Sequence, residues 1–121
     1  MKTLLLAVMI ALGIAVPAYS ADQSITHVVI VWVKEDVSEQ QISDIIDKTK
    51  ALSEIEVVRA LKVGAPVPSD RKTVDDSFSF AMSLEFKSSA DMQKYVEHEI
   101  HQAYVKEVLA PALKKYVVYD F

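Results

Sequence analysis

The stretch FSFAMSLEF, residues 78–86, decides the fold. Phe78, Phe80, Met82, Leu84 and Phe86 fall on one side of an extended chain, and Ser79, Ala81, Ser83 and Glu85 on the other. Side chains alternate across a strand with a period of two, so this pattern predicts a strand with one buried, aromatic-rich face. Upstream, THVVIVWVK at residues 26–34 is β-branched and apolar throughout. It reads as a strand covered on both faces: His27, Val29, Val31 and Val33 on one, Val28, Ile30 and Trp32 on the other.

The segments around these two strands supply the rest. Ser38, with Gln41 three residues on, is a capping-box signal for a helix start. Ile42, Ile45, Ile46, Thr49 and Leu52 then form one stripe at helical spacing. A second strand is expected over residues 55–64, carrying Val57, Val58, Leu61 and Val63 and closed by Gly64. Residues 65–76, with Pro66 and Pro68, predict a surface loop. Ser88 and Ser89 cap a short helix bearing Met92, Tyr95 and Val96. The apolar pattern falters at His98-Glu99, then resumes with Ile100, Tyr104, Val105, Val108 and Leu109 until Pro111 limits it. Residues 116–121 predict a terminal strand. Strand, helix, strand, strand, helix, strand is the ferredoxin-like α+β order, with an antiparallel sheet. Right-handed crossovers place both helices on one sheet face. The other face is also apolar, and a second copy of the sheet is its simplest cover, so a homodimer is expected.

Composition bounds the function. The 121 residues make one domain, 51% hydrophobic and 25% charged, which excludes a disordered chain. A net charge of -4 without a basic cluster argues against nucleic acid and against an anionic membrane surface as partners. The absence of cysteine excludes disulfides, thiolate metal sites, Fe–S clusters and cysteine nucleophiles. Residues 1–20 read as a secretory signal peptide: Lys2, an apolar run over residues 4–16, then small residues with Ala18 and Ser20 at the positions a peptidase prefers. The run is too short to span a bilayer. The expected mature domain, residues 21–121, is exported to the periplasm or secreted, without stable membrane insertion after cleavage.

Three histidines carry what chemistry the sequence offers: His27, His98 and His101. The zinc-protease pattern needs histidines four apart, and Gln102 stands where the second would be, so no metal is assigned. No glycine-rich phosphate loop is present, and no cofactor is expected. His101 as a base, Tyr95 as a donor to a developing oxyanion and His27 as an orienting group would make an acid–base site. Tyr95 and His101 are six residues apart, about 240° around an ideal helix, and converge only if the helix breaks at His98-Glu99. The alternative reading is structural: histidines bonded to backbone carbonyls and a tyrosine in the core.

Taken together, Thr26-His27-Val28-Val29, Lys62-Val63-Gly64, Phe86-Lys87-Ser88, the run from Tyr95 to His101 and the trailing Asp120 resemble the stress-responsive α/β-barrel domain, the Dabb family of dimeric α/β barrels. The resemblance covers residues 25–121, and Tyr-x-x-His-x-x-His is its most specific part. Glu99 stands where the family usually has proline. The resemblance implies a homodimer of ferredoxin-like subunits, each with a small apolar cavity between sheet and helices. Plant relatives that act as polyketide cyclases use residues matching His27, Tyr95 and His101, and a further pocket histidine falls at Phe80 here. The ligand pocket is therefore expected at His27, Phe80, Tyr95 and His101, holding a small apolar molecule. The alternatives are a cofactor-free cyclase or lyase with His101 as general base, and a structural stress protein without a ligand.

Overall fold

The computed structural model describes residues 23–121, so the signal-peptide reading of residues 1–20 lies outside the described residues. Strand β1 (Ile25–Val33) leads into helix α1 (Glu39–Thr49), which a single 3₁₀ segment (Lys50–Glu54) prolongs. Then follow β2 (Ala60–Gly64), β3 (Phe80–Phe86), α2 (Ser89–Glu97), α3 (Glu99–Tyr104), a π-helical turn (Val105–Leu109) and β4 (Leu113–Asp120). The four strands form one antiparallel sheet in the order β2-β3-β1-β4. This is the ferredoxin-like α+β arrangement expected from the sequence. Among the described residues, no helix is long and apolar enough to cross a membrane.

Local signals act as their chemistry dictates. The Ser38 hydroxyl accepts the Gln41 N–H, and the Gln41 side chain accepts the Ser38 N–H, closing the capping box. Ser88 caps α2 by accepting from the Asp91 N–H. Phe80, Met82, Leu84 and Phe86 are buried beneath the helices, with Val31, Leu52, Ile55 and Tyr95.

Three sequence expectations shift, the first being the terminal strand, which runs Leu113–Asp120 and not from residue 116 to 121. Residues 55–59 are not strand: Ile55 is buried in the core from a turn, where the Val58 N–H bonds the Ile55 carbonyl. Their β-branched character serves packing there, not a ladder. Phe78 departs from the alternation. The β3 ladder with β1 begins at Phe80 opposite Val31, and the Ser79 hydroxyl accepts the Val33 N–H. Ahead of that first pair, Phe78 turns to the outer face beside Ile30, Trp32 and Val117. That face also carries half-buried Val28 and the cation–π pair of Lys115 over Trp32, 4.6 Å from the ring centre.

Candidate active site

Between the sheet and the second helical layer lies a cavity of about 450 Å³. Its floor is His27 and Val29 of β1, Met82 of β3, and Tyr116 and Val118 of β4. Its roof is Tyr95, His101, Tyr104, Val105 and Leu109. His27, Tyr95 and His101 are therefore brought together. Phe80 is not among the lining residues; it is fully buried in the core of the same sheet face. A separate open groove of about 480 Å³ follows β2, lined by polar groups including Lys50, Ser53 and Arg59, and holds none of the expected site residues.

The convergence depends on His98. Its backbone is extended, φ -65° and ψ 139°, so it ends α2 and starts α3 in a new direction. The His98 N–H bonds the Tyr95 carbonyl, and its Nδ1 accepts the Ile100 N–H at 3.1 Å, capping α3. An accepting Nδ1 fixes the proton of this ring on Nε2. Across the break, the Tyr95 and His101 rings lie 4.5 Å apart, centre to centre. Tyr95 also packs against Phe86 at 5.0 Å and His27 at 6.0 Å.

Hydrogen bonds assign the tautomers. His101 Nδ1 lies 2.9 Å from the Val96 carbonyl, which can only accept. Nδ1 therefore carries the proton, and Nε2 holds the lone pair. Burial lowers the His101 pKa below its ordinary value; the Val96 bond opposes this, and the His27 ring lowers it further. The ring is thus neutral at pH 7 and able to take a proton. His27 donates from Nδ1 to the Asp120 carboxylate across the β1–β4 ladder, where the two residues stand opposite each other. Asp120 holds the His27 ring in place.

The two buried tyrosines differ. Tyr95 is 1% exposed, yet its hydroxyl has no hydrogen-bond partner among the described residues and is not sealed from the cavity. Burial pushes its pKa well above the usual phenol value, so it stays a donor. Tyr104 spends its hydroxyl internally. Thr49 Oγ1 donates to the Ile45 carbonyl at 2.7 Å, so the Tyr104 hydroxyl, 2.7 Å away, is the donor to Thr49. Beyond Tyr104 the helix widens into the π turn, closed by the Ala110 N–H on the Val105 carbonyl, before Pro111. Such turns often mark functional sites, and this one forms cavity wall at Val105 and Leu109.

Sequence reasoning placed Asp120 only by resemblance and gave Tyr104 no site role. The strand order held the missing signal for Asp120. A ferredoxin-like sheet sets the last strand beside the first, which brings residue 120 opposite residue 27.

Fold and site together define a ferredoxin-like α+β protein with a cavity between sheet and helices where His27, Tyr95 and His101 meet. The chain belongs to the Dabb family: the model of the stress responsive A/B barrel domain matches residues 25–121. Among solved structures, the hydroxynitrile lyase from Passiflora edulis is similar at 26% identity and a TM-score of 0.72, covering 83% of this chain and 93% of that one. A Dabb family protein with a ferredoxin-like fold from Mesorhizobium loti is similar at 24% identity and a TM-score of 0.66, covering 81% of this chain and 94% of that one. A dimeric protein with a ferredoxin-like fold from Bacteroides fragilis is similar at 21% identity and a TM-score of 0.65, covering 81% and 94%. Comparison with curated proteins gives no match.

Proposed function

We propose that this chain is an exported homodimer that binds a small, neutral, largely apolar molecule in the cavity, in the periplasm or outside the cell. The observation that carries the binding reading is Tyr95: a buried ring whose hydroxyl has no hydrogen-bond partner among the described residues and opens into an apolar cavity. A hydroxyl free of protein partners in an apolar cavity is positioned to bond a ligand carbonyl or hydroxyl. Self-association is supported by the apolar outer sheet face and by the dimeric relatives.

The tautomer of His101 favours a second use of the same cavity, a cofactor-free lyase or cyclase. Nε2 of His101 takes a proton from the substrate, and the Tyr95 hydroxyl donates to the oxygen that gains charge. The similarity to a hydroxynitrile lyase supports this reading: in hydroxynitrile cleavage the hydroxyl proton goes to a base, the C=O bond forms as the C–CN bond breaks, and cyanide leaves with the bonding pair and takes the proton back from the base.

Native mass spectrometry of the protein purified gently from its own compartment tests the first reading. The expected result is a dimer carrying extra mass that is lost in Tyr95→Phe. A monomer, or retained mass unaffected by Tyr95→Phe and His101→Phe, would contradict it. For the second reading, turnover of small hydroxynitriles should vanish in His101→Phe while the fold is kept.

A further inference from the structure

We propose that His98 is a proton-operated switch for the site: its neutral ring holds the first turn of α3, and with it His101, in place, and a proton added at Nδ1 releases that turn. This rests on the reading of Tyr95 and His101 as a site and supplies its regulation.

His98 belongs to two helices at once. It is the C-cap of α2 and the N-cap of α3. Its Nδ1 accepts the Ile100 N–H at 3.1 Å. A helix start leaves its first N–H groups without intrahelical partners, and a cap satisfies one of them. In α3 that first turn is Glu99, Ile100 and His101, so His101 rides on the turn that the cap holds. The first intrahelical bond runs from the Gln102 N–H to the His98 carbonyl at 3.0 Å. The other tether of His101 is its own Nδ1–H on the Val96 carbonyl, across the break. Glu99, not a proline, occupies the first position of α3, so the backbone there is not locked into helix by a ring.

The usual caps are hydroxyls, amides and carboxylates, which accept hydrogen bonds throughout the range where histidine titrates. An imidazole differs, because its accepting lone pair is where the proton goes. Once protonated, Nδ1 meets the Ile100 N–H donor to donor. A positive ring is also disfavoured at the N-terminus of α3 and favoured at the C-terminus of α2. Both effects turn the ring from α3 toward α2. Neighbouring charges leave the switch to the ring itself. On the two helices, Glu97 accepts from Gln93 Nε2 at 2.9 Å, Asp91 lies 3.8 Å from Lys94 Nζ, and Glu99 is exposed. Glu85 of β3, Lys87 just after it, and Lys106 and Glu107 of the π turn are exposed too. His27 of β1 and Asp120 of β4 bond each other. Among the described residues, none of these groups bonds or pairs with the His98 side chain. The ring is half-buried, so protons reach it from solvent.

Amide hydrogen exchange read by NMR from about pH 8 to about pH 5, the range in which histidine titrates, tests this on the parent, His98→Asn and His101→Asn. Asparagine caps a helix but takes up no proton. Protection of the Gln102 amide, corrected for the intrinsic pH dependence of exchange, should fall about fivefold in the parent, the ratio that one cap is worth. The fall should follow the ¹⁵N shift of His98 Nδ1, and the Tyr95–His101 ring contacts should weaken with it. His98→Asn should abolish the fall, and His101→Asn should keep it. Protection that stays level through the His98 titration, or falls equally in His98→Asn, would overturn the switch. A fall that disappears in His101→Asn would assign it to His101's own proton and overturn the switch equally. The site reading fails separately: native mass spectrometry then finds no retained mass at neutral pH, in parent or His98→Asn, whatever the exchange shows.

Discussion

Exchanging one hydroxyl at a time should separate the two buried tyrosines of the cavity. Tyr104→Phe removes the donor to Thr49 but leaves the Thr49 bond to the Ile45 carbonyl, so the loss is one ordinary buried bond, about 1 kcal/mol. Thr49→Val keeps side-chain volume and nearly the same helix propensity, but strands the Tyr104 hydroxyl and frees the Ile45 carbonyl, costing about 1–3 kcal/mol. The double variant replaces both partners with apolar groups. Its loss should fall short of the sum of the single losses by about 1 kcal/mol, because the shared bond can be lost only once. Tyr95→Phe breaks no hydrogen bond among the described residues and should stay within about 0.5 kcal/mol of the parent. Urea unfolding followed by circular dichroism reads these differences, and 1 kcal/mol corresponds to about 4–8 °C in Tm for a domain of this size. Additive single losses would refute the Tyr104–Thr49 bond as drawn. A Tyr95→Phe loss equal to that of Tyr104→Phe would refute the claim that the Tyr95 hydroxyl is free for a ligand.

His101 makes a prediction in pH. Its folded pKa lies below the unfolded value of about 6.5. Above that value both states hold the neutral ring and the group is silent. As pH falls below it, the unfolded chain binds a proton first, so stability declines until the lowered folded pKa is reached. His101→Asn should remove this part of the slope, and an NMR titration should show the ring titrating below a free histidine. His98→Ala should cost about 1 kcal/mol as a lost helix cap, and His98→Asn, itself a good cap, should recover most of it in the same unfolding assay. Asp120→Asn should release the His27 ring, seen as a changed ¹⁵N tautomer pattern. Because the Asp120 side chain is 42% exposed, stability should move by less than about 1 kcal/mol.

Much of this was legible in the sequence, for physical reasons. The alternation from Phe80 to Phe86 survives because that strand has a helix layer on one face and a less crowded surface on the other. The faltering at His98-Glu99 is a real break, and it brings Tyr95 and His101 together as their spacing required. Residues 55–59 misled because β-branched residues suit a buried turn as well as a strand, and only tertiary packing separates the two. The π turn was hidden because its extra residue changes backbone pairing without changing composition. Phe80 was assigned to the pocket by resemblance, and its position on β3 carries it under the helices instead. Asp120 and Tyr116 needed the strand order before their place beside His27 and in the cavity floor could be seen.

The pairing of β1 with β4 has a consequence for how the molecule comes into being. His27 and Asp120 are 93 residues apart in the chain and adjacent in the sheet. Contacts of such separation form late, since the intervening chain must be ordered before they repay its loss of freedom. A chain emerging from a ribosome or a translocation channel with residue 27 ahead cannot close this sheet until residues 113–120 follow. Before that moment β1 has one open edge, the His27 ring has no carboxylate, and the cavity lacks the side of its floor that β4 supplies. A partly folded intermediate would hold Tyr95 and His101 without the full floor beneath them. The complete cavity arrives with the final strand.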